Sequence, residues 1–220
     1  MYLWINSGKN KYSVKIYEMV VYLFEVLPIC CIVDRKYFCV HAGLSPDLST
    51  IGKGFLTEDQ IQKIERFTEI PQKGLLCDLL WSDPVEEDRR EWAFNTTRSC
   101  SYFFTRSHAY EFLKKNNLQM LIRGHEVQLR GYKYQEVKKS EKKCILTVFS
   151  APNYCEKYNN LGSVVRISPD LISMDTYRYI QHPPTVGNVS IIEWSLSQIS
   201  RNVSKLFLVM MKAKLSLPDK

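Results

Sequence analysis

Tyr37-Phe38-Cys39-Val40-His41-Ala42-Gly43-Leu44-Ser45-Pro46 sets four apolar residues directly against a histidine, small residues and a proline. The run is too short for a helix and predicts a strand. The abrupt change at His41 predicts that the strand ends there and the chain enters a loop. The same plan recurs twice. Met120-Leu121-Ile122 runs into Arg123-Gly124-His125-Glu126, and Ile145 to Phe149 runs into Ser150-Ala151-Pro152-Asn153-Tyr154. Strand ends that feed loops are where α/β proteins gather their ligand-binding groups.

Outward from these strands, helical and extended patterns alternate. From Ser13, the apolar residues Tyr17, Val20, Val21, Phe24 and Leu27 recur at helical spacing, and Pro28 ends the helix. A second helix is expected over Thr57 to Arg66, with Thr57 as N-cap and Gln60 closing a capping box. Leu75 to Trp81 is apolar and stops at Ser82-Asp83-Pro84. Pro84 to Glu91 reads as loop, and His108 to Lys115 as helix. Ser163 to Ile167 and Leu171 to Ile180 predict a last pair of strands joined at Pro169-Asp170. After His182-Pro183-Pro184 the composition shifts. A linker holding Gly187 and Asn188 leads into one long helical pattern that ends near Lys214.

The 220 residues suffice for one domain, or one domain and an appendage. Aromatic residues at 12%, with only nine Gly and nine Pro, exclude a disordered chain. The net charge of +7 is partly local, in Lys138, Lys139, Lys142 and Lys143. That run is either a solvated loop or a basic patch. It lacks the interleaved aromatics or motif of a nucleic-acid binder, so no nucleic-acid partner is expected. The longest apolar stretch, Met19 to Val33, is broken by Glu25 and Pro28 and falls short of the ~18 residues of a membrane span. The first residues lack a signal peptide's order. Seven cysteines, an odd number with no CxxC pair, predict free thiols in a reducing, cytoplasmic setting. The sequons at Asn95, Asn188 and Asn202 are read as chance.

His41 and His125 follow strands at equivalent places. A neutral imidazole is a good ligand for a divalent metal, and a histidine beside glycine is equally a hydrogen-bonded turn residue. Arg98 lies in Asn95-Thr96-Thr97-Arg98-Ser99-Cys100-Ser101-Tyr102. An arginine among small hydroxyl residues suits a bidentate grip on phosphate or carboxylate, or an ordinary exposed ion pair. Tyr154 offers a phenol to a bound anion, or packs within its loop.

HAGLSP, LLCDLLWSDP, NTTRSCSYFF, RGHE and SAPNY, in this order and spacing, resemble the metal-dependent serine/threonine phosphoprotein phosphatases over Lys9 to about Pro184. The NTxRxCSYF form, Tyr158-Asn159-Asn160, and Glu193-Trp194-Ser195-Leu196 are similar to the calcineurin branch of that family. The resemblance implies an α/β fold: a metallophosphatase β-sandwich flanked by helices, with the site in the loops of one edge. It implies two metal ions (iron with zinc, or manganese) that bridge a hydroxide attacking phosphorus directly. His41 and His125 would be ligands of one ion. Arg98 would hold phosphate oxygens, Tyr154 would line the site, and Asn153 and Pro152 would shape the loop. Phosphoproteins are the implied substrates, with calmodulin a partner of the full-length protein.

GDxHG, GDxVDRG and GNHE, which carry the family's carboxylate and remaining ligands, do not occur in these residues. Two neutral imidazoles bind one ion weakly and cannot hold two together. The expectation is therefore a chain lacking the N-terminal part of the fold and inactive alone. The alternative is a non-catalytic regulatory or docking module that keeps the binding surfaces. Residues 1–184 are assigned to the C-terminal portion of the catalytic domain, 185–214 to a linker and docking helix, and 215–220 to a tail.

In the tail, Trp194, Leu196, Ile199, Val203, Leu206, Phe207 and Met210 fall on one helical face. Ser197, Gln198, Ser200, Asn202 and Lys205 take much of the rest. Burying a Leu, Ile or Phe contributes roughly 1.5–3 kcal/mol. The face either packs on its own domain or, as the resemblance implies, binds a calcineurin B-like EF-hand subunit.

Overall fold

The computed structural model describes residues 13–50, 61–87, 91–137, 142–169, 171–181, 200 and 203–204. The chain divides into two compact units, Met1–Tyr179 and Ile180–Lys220. In the second, Ser200, Val203 and Ser204 are helical and exposed. Trp194, Leu196, Ile199, Leu206, Phe207 and Met210 lie outside the described residues, as do the linker, Lys138, Lys139, and Thr57 with Gln60. Of that expected second helix, Ile61 and Gln62 are helical, but Lys63 to Arg66 are turn and irregular chain, so the helix stops short of Arg66.

The first unit opens with α1 (Val14–Val26). The Ser13 hydroxyl accepts the Ile16 N–H at 3.2 Å, satisfying one otherwise orphaned donor. Leu27 turns to extended geometry, ψ 144°, as a residue before proline must. None of its residues is fully buried.

A five-stranded sheet follows in the spatial order β1-β2-β6-β8-β7. Its strands are β1 (Cys30–Val33), β2 (Tyr37–Val40), β6 (Met120–Arg123), β7 (Tyr132–Val137) and β8 (Lys142–Val148). β2, β6 and β8 run parallel, while β1 and β7 are antiparallel edges. Side chains alternate across the sheet. Phe38, Val40, Leu121 and Ile145 face one apolar core, with Phe112 and Leu113 of α4 (Arg106–Lys115) and Leu79 of α3 (Leu75–Trp81). Tyr37, Met120 and Leu146 face the other, packed by Val165, Ile167, Ile172 and Met174. Those four belong to a hairpin of β9 (Gly162–Ile167) and β10 (Ile172–Tyr177). Helices therefore cover one face and a second small sheet the other, the α/β sandwich expected. A short helix, α2 (Asp47–Thr50), follows β2. A third sheet joins β3 (Asp83–Pro84), β5 (Tyr102–Phe104) and β4 (Ala93–Phe94).

Three local expectations need correction. Pro84 belongs to β3 rather than to a loop. The expected Leu171–Ile180 strand is shorter, Ile172–Tyr177. The expected His108–Lys115 helix begins at Arg106, because Thr105 is its N-cap and His108 acts as the box partner. The Thr105 N–H donates to His108 Nδ1 at 3.1 Å and the His108 N–H to Thr105 Oγ1 at 3.3 Å. Imidazole there does the work usually given to Glu or Gln.

Candidate metal and phosphate site

Because β2, β6 and β8 are parallel neighbours, their C-terminal ends share one sheet edge. Val40 pairs with Arg123 and Arg123 with Thr147, so the loops after all three strands emerge side by side. The Gly124 N–H donates to the His41 carbonyl at 3.0 Å and ties two of these loops together. His41 Nε2 and His125 Nδ1 then stand 3.0 Å apart, with rings edge to face. Trp81 sets its ring edge-on to His125 at 5.3 Å. The first loop needs a glycine at position 43. A Cβ there would lie 2.1 Å from Phe104 Cε1 and 2.7 Å from Ser82 Oγ.

Behind the imidazoles lies Asp83, nearly fully buried. Its carboxylate accepts from Arg98 Nε at 2.8 Å, Arg123 Nη2 at 2.9 Å and Asn95 Nδ2 at 3.0 Å. His125 Nε2 is 3.9 Å from its Oδ1. Burial alone would raise the Asp83 pKa. The hydrogen bonds from Arg98 and Asn95 and the two guanidinium charges outweigh it, and the net direction is down. Arg123, its side chain fully buried, also donates to the Ala42 and Ser82 carbonyls and to Glu126. One buried guanidinium thus holds both histidine loops and the Asp83 strand in register.

Arg98 spends Nε and Nη2 on Asp83 and remains about one-quarter exposed. The structure shows the ion pair, here with a buried partner. Asp83 fixes the plane of the guanidinium, and its remaining donors stay available. A second buried carboxylate, Asp78, accepts from Ser45 Oγ at 2.6 Å and Ser101 Oγ at 2.7 Å. It joins the loop after His41 to the loop after Arg98. Burial raises its pKa against those two hydrogen bonds.

Both imidazoles are held neutral. Burial, then the Arg123 and Arg98 charges, lowers the pKa of His41. Burial, then the Arg98 charge, lowers His125 to about 3. Neutral rings are the form that ligates metals.

Tyr154 sits apart. Its loop leaves the same sheet edge, but its ring packs on Phe149 at 5.1 Å and Tyr158 at 6.0 Å. Buried Asn160 ties that loop, accepting the Tyr154 N–H at 2.9 Å and donating to the Ala151 and Leu161 carbonyls. Asn153 adopts left-handed geometry, φ 45°, which bends the loop as expected. Asp83, Arg123, Asn95 and Asp78 escaped sequence reasoning as site residues. Asp83 reads there as a stop before proline and Asn95 as a chance sequon; Asn95 is fully buried. The available signal was a carboxylate set directly after an apolar run, Leu75 to Trp81.

The calcineurin-like phosphoesterase pattern matches residues 4–129, more than half of the chain. The chain belongs to that family. The sequence is 34% identical over 215 residues to the serine/threonine-protein phosphatase 2B catalytic subunit A1 of Saccharomyces cerevisiae. That match covers 91% of this chain and 38% of the yeast protein. The A2 subunit of the same yeast is 30% identical over 237 residues, with 94% and 38% covered. The chain therefore spans less than two-fifths of these relatives' length. A solved S. cerevisiae serine/threonine phosphatase, described as similar to human phosphatase PP5, superposes with a TM-score of 0.68. It is 29% identical, and the match covers 81% of this chain and 56% of that one.

A calcineurin-like phosphoesterase of the metallophosphatase type implies divalent metal ions. Two nitrogens on one ion, each about 2.0–2.1 Å from it and roughly 90–110° apart, lie about 2.9–3.4 Å from each other. The His41–His125 separation of 3.0 Å falls in that range. The other ring nitrogen, His125 Nε2, is buried without a hydrogen bond, 3.9 Å from Asp83 Oδ1. Among the described residues, no three His, Cys, Asp or Glu side chains stand together to hold a metal. The imidazole pair fits part of one ion's shell and does not make up a two-ion centre. Among the same residues, no helix is long and apolar enough to cross a membrane.

Proposed function

We propose that these residues form the imidazole and phosphate-gripping part of a protein serine/threonine phosphatase centre of calcineurin type, which hydrolyses phosphoserine and phosphothreonine esters. The observation that carries this reading is the meeting of His41 and His125 at 3.0 Å beside an Asp83 carboxylate that also anchors Arg98. A bound divalent ion (iron with zinc, or manganese) would supply Lewis acidity and a low-pKa water. His41 and His125 would hold one such ion through neutral nitrogens. Arg98, its plane set by Asp83, orients phosphate oxygens and offsets their charge. Arg123 keeps both histidine loops at the same depth. Tyr154 would line the site, its ring held against Phe149 and Tyr158.

Residues 1–184 are read as the C-terminal portion of the catalytic domain, 185–214 as linker and docking helix, and 215–220 as tail. An EF-hand, calcineurin B-like subunit is the proposed partner of the helix, with calmodulin binding the longer protein. The seven free cysteines support a cytoplasmic setting.

Phosphopeptide hydrolysis with manganese tests this reading. The 220-residue chain should give no turnover above His41→Ala/His125→Ala. Fused after a segment carrying GDxHG, GDxVDRG and GNHE, it should turn over, and Arg98→Lys should then lower kcat at least about 10–100-fold. Full kcat in Arg98→Lys would leave Arg98 only its ion pair. No turnover in the fusion would favour the regulatory or docking module. For the tail, a peptide of Val189–Lys214 should bind a calcineurin B-type protein by calorimetry. Ile199→Asp with Leu206→Asp should abolish binding and Ser200→Asp should not. Equal binding by the double variant would make the helix intradomain core.

A further inference from the structure

Strand β1 places Cys31 directly opposite Cys39 of β2, in an antiparallel pair. Residues directly opposite in such a pair have Cα atoms about 4.5 or 5.5 Å apart, depending on the hydrogen-bonding site. Both spacings lie within the roughly 4.4–6.8 Å that disulfides span. Opposite residues also project to the same face, so the two side chains lie on one face of the strand pair. Cys31 is exposed and Cys39 half-buried. Alternation sends the adjacent Cys30 to the other face, where it packs against the helix-covered core. Among the described residues β1 is an edge strand bonded only to β2, so it can adjust to a new covalent link without disturbing a second neighbour.

We propose that Cys31 and Cys39 form a peroxide-sensitive dithiol site that closes to a cross-strand disulfide. The exposed Cys31 thiolate attacks one oxygen of hydrogen peroxide. The O–O bond breaks, giving Cys31 sulfenic acid and hydroxide, which takes up the thiol proton as water. Cys39 sulfur then attacks Cys31 sulfur. The S–O bond breaks, the S–S bond forms, and the hydroxyl leaves with the Cys39 proton as a second water. Two thiols lose two electrons in all, and the peroxide gains them. Cys31 is the exposed thiol that peroxide reaches and Cys39 the half-buried one, so Cys31 is the first attacker and Cys39 the resolving partner. The link would sit two residues before His41, and it does not depend on the phosphatase reading.

The test oxidises the reduced 220-residue chain with hydrogen peroxide, blocks remaining thiols with N-ethylmaleimide and maps tryptic peptides without reduction. Cleavage at Arg35 and Lys36 separates the two cysteines, so their disulfide appears as one linked peptide pair. That pair should accumulate in the folded chain, disappear with dithiothreitol and be lost in Cys31→Ser, where Cys39 is alkylated instead. It should persist in Cys30→Ser. In urea, links should scatter over the seven cysteines. Linkage through Cys30, sulfinic acid on Cys31 with Cys39 still free, or the same pattern in urea would each overturn the proposal.

Discussion

Replacing Asp83 by alanine should be the most damaging single change near the site. The carboxylate receives Arg123, Arg98 and Asn95. Arg123 is fully buried, and removing one partner of a buried ion pair costs about 3–5 kcal/mol, because the remaining charge is left uncompensated. Arg123 keeps Glu126 and the Ala42 and Ser82 carbonyls, which places its share at the lower end. The Arg98 pair is partly exposed and adds about 1 kcal/mol or less. Asn95 retains a long contact to the Trp81 carbonyl at 3.4 Å and adds little. The sum is about 3–4 kcal/mol, a large part of the 5–15 kcal/mol typical of whole domains. Urea unfolding followed by circular dichroism reads it directly. With m of about 1–3 kcal/mol/M, the midpoint should fall by about 1–4 M. Asp83→Asn keeps the volume and one acceptor and should fall less. An Asp83→Ala midpoint equal to wild type would mean that the Arg123 charge is balanced elsewhere, and the account of the site's scaffold would fail.

Two further perturbations follow from the same geometry. Asp78 has a raised folded-state pKa, so its contribution is fully present below the unfolded value of about 3.9 and lost as pH rises through the folded value. Urea midpoints of wild type and Asp78→Asn across a pH series should therefore shift in favour of the asparagine as pH rises from about 4; a constant gap would contradict the assignment. Gly43→Ala drives a methyl into the buried Phe104 ring and should cost about 1–3 kcal/mol, read as a lowered Tm; an unchanged Tm would show that the first histidine loop yields freely.

The sheet's centre was legible because β2, β6 and β8 are runs of apolar residues that stop abruptly at groups able to do chemistry. Its edges were not. β7 alternates Tyr132 and Tyr134 toward the apolar core with Lys133 toward Glu86, and so reads as polar chain. β1 follows a proline and merges with the apolar stretch of α1. His41, His125 and Arg98 stood out as single candidates, since each follows a recognisable local pattern. What joins them did not, because Asp83 and Arg123 act through contacts 40 residues apart in the chain. A carboxylate between serine and proline carries no mark of burial until the strands around it are assembled.

His41 and His125 are 84 residues apart in the chain and meet only through the parallel pairing of β2 with β6. Closing a flexible loop of that length costs about 4 kcal/mol in entropy before any contact rewards it. Non-local pairing of this kind also forms slowly. A nascent chain that has made β2 but not β6 carries one imidazole and no binding site. An ion held by both rings would then favour only states in which β2 and β6 have paired. Metal retention would thus report that β6 has paired with β2.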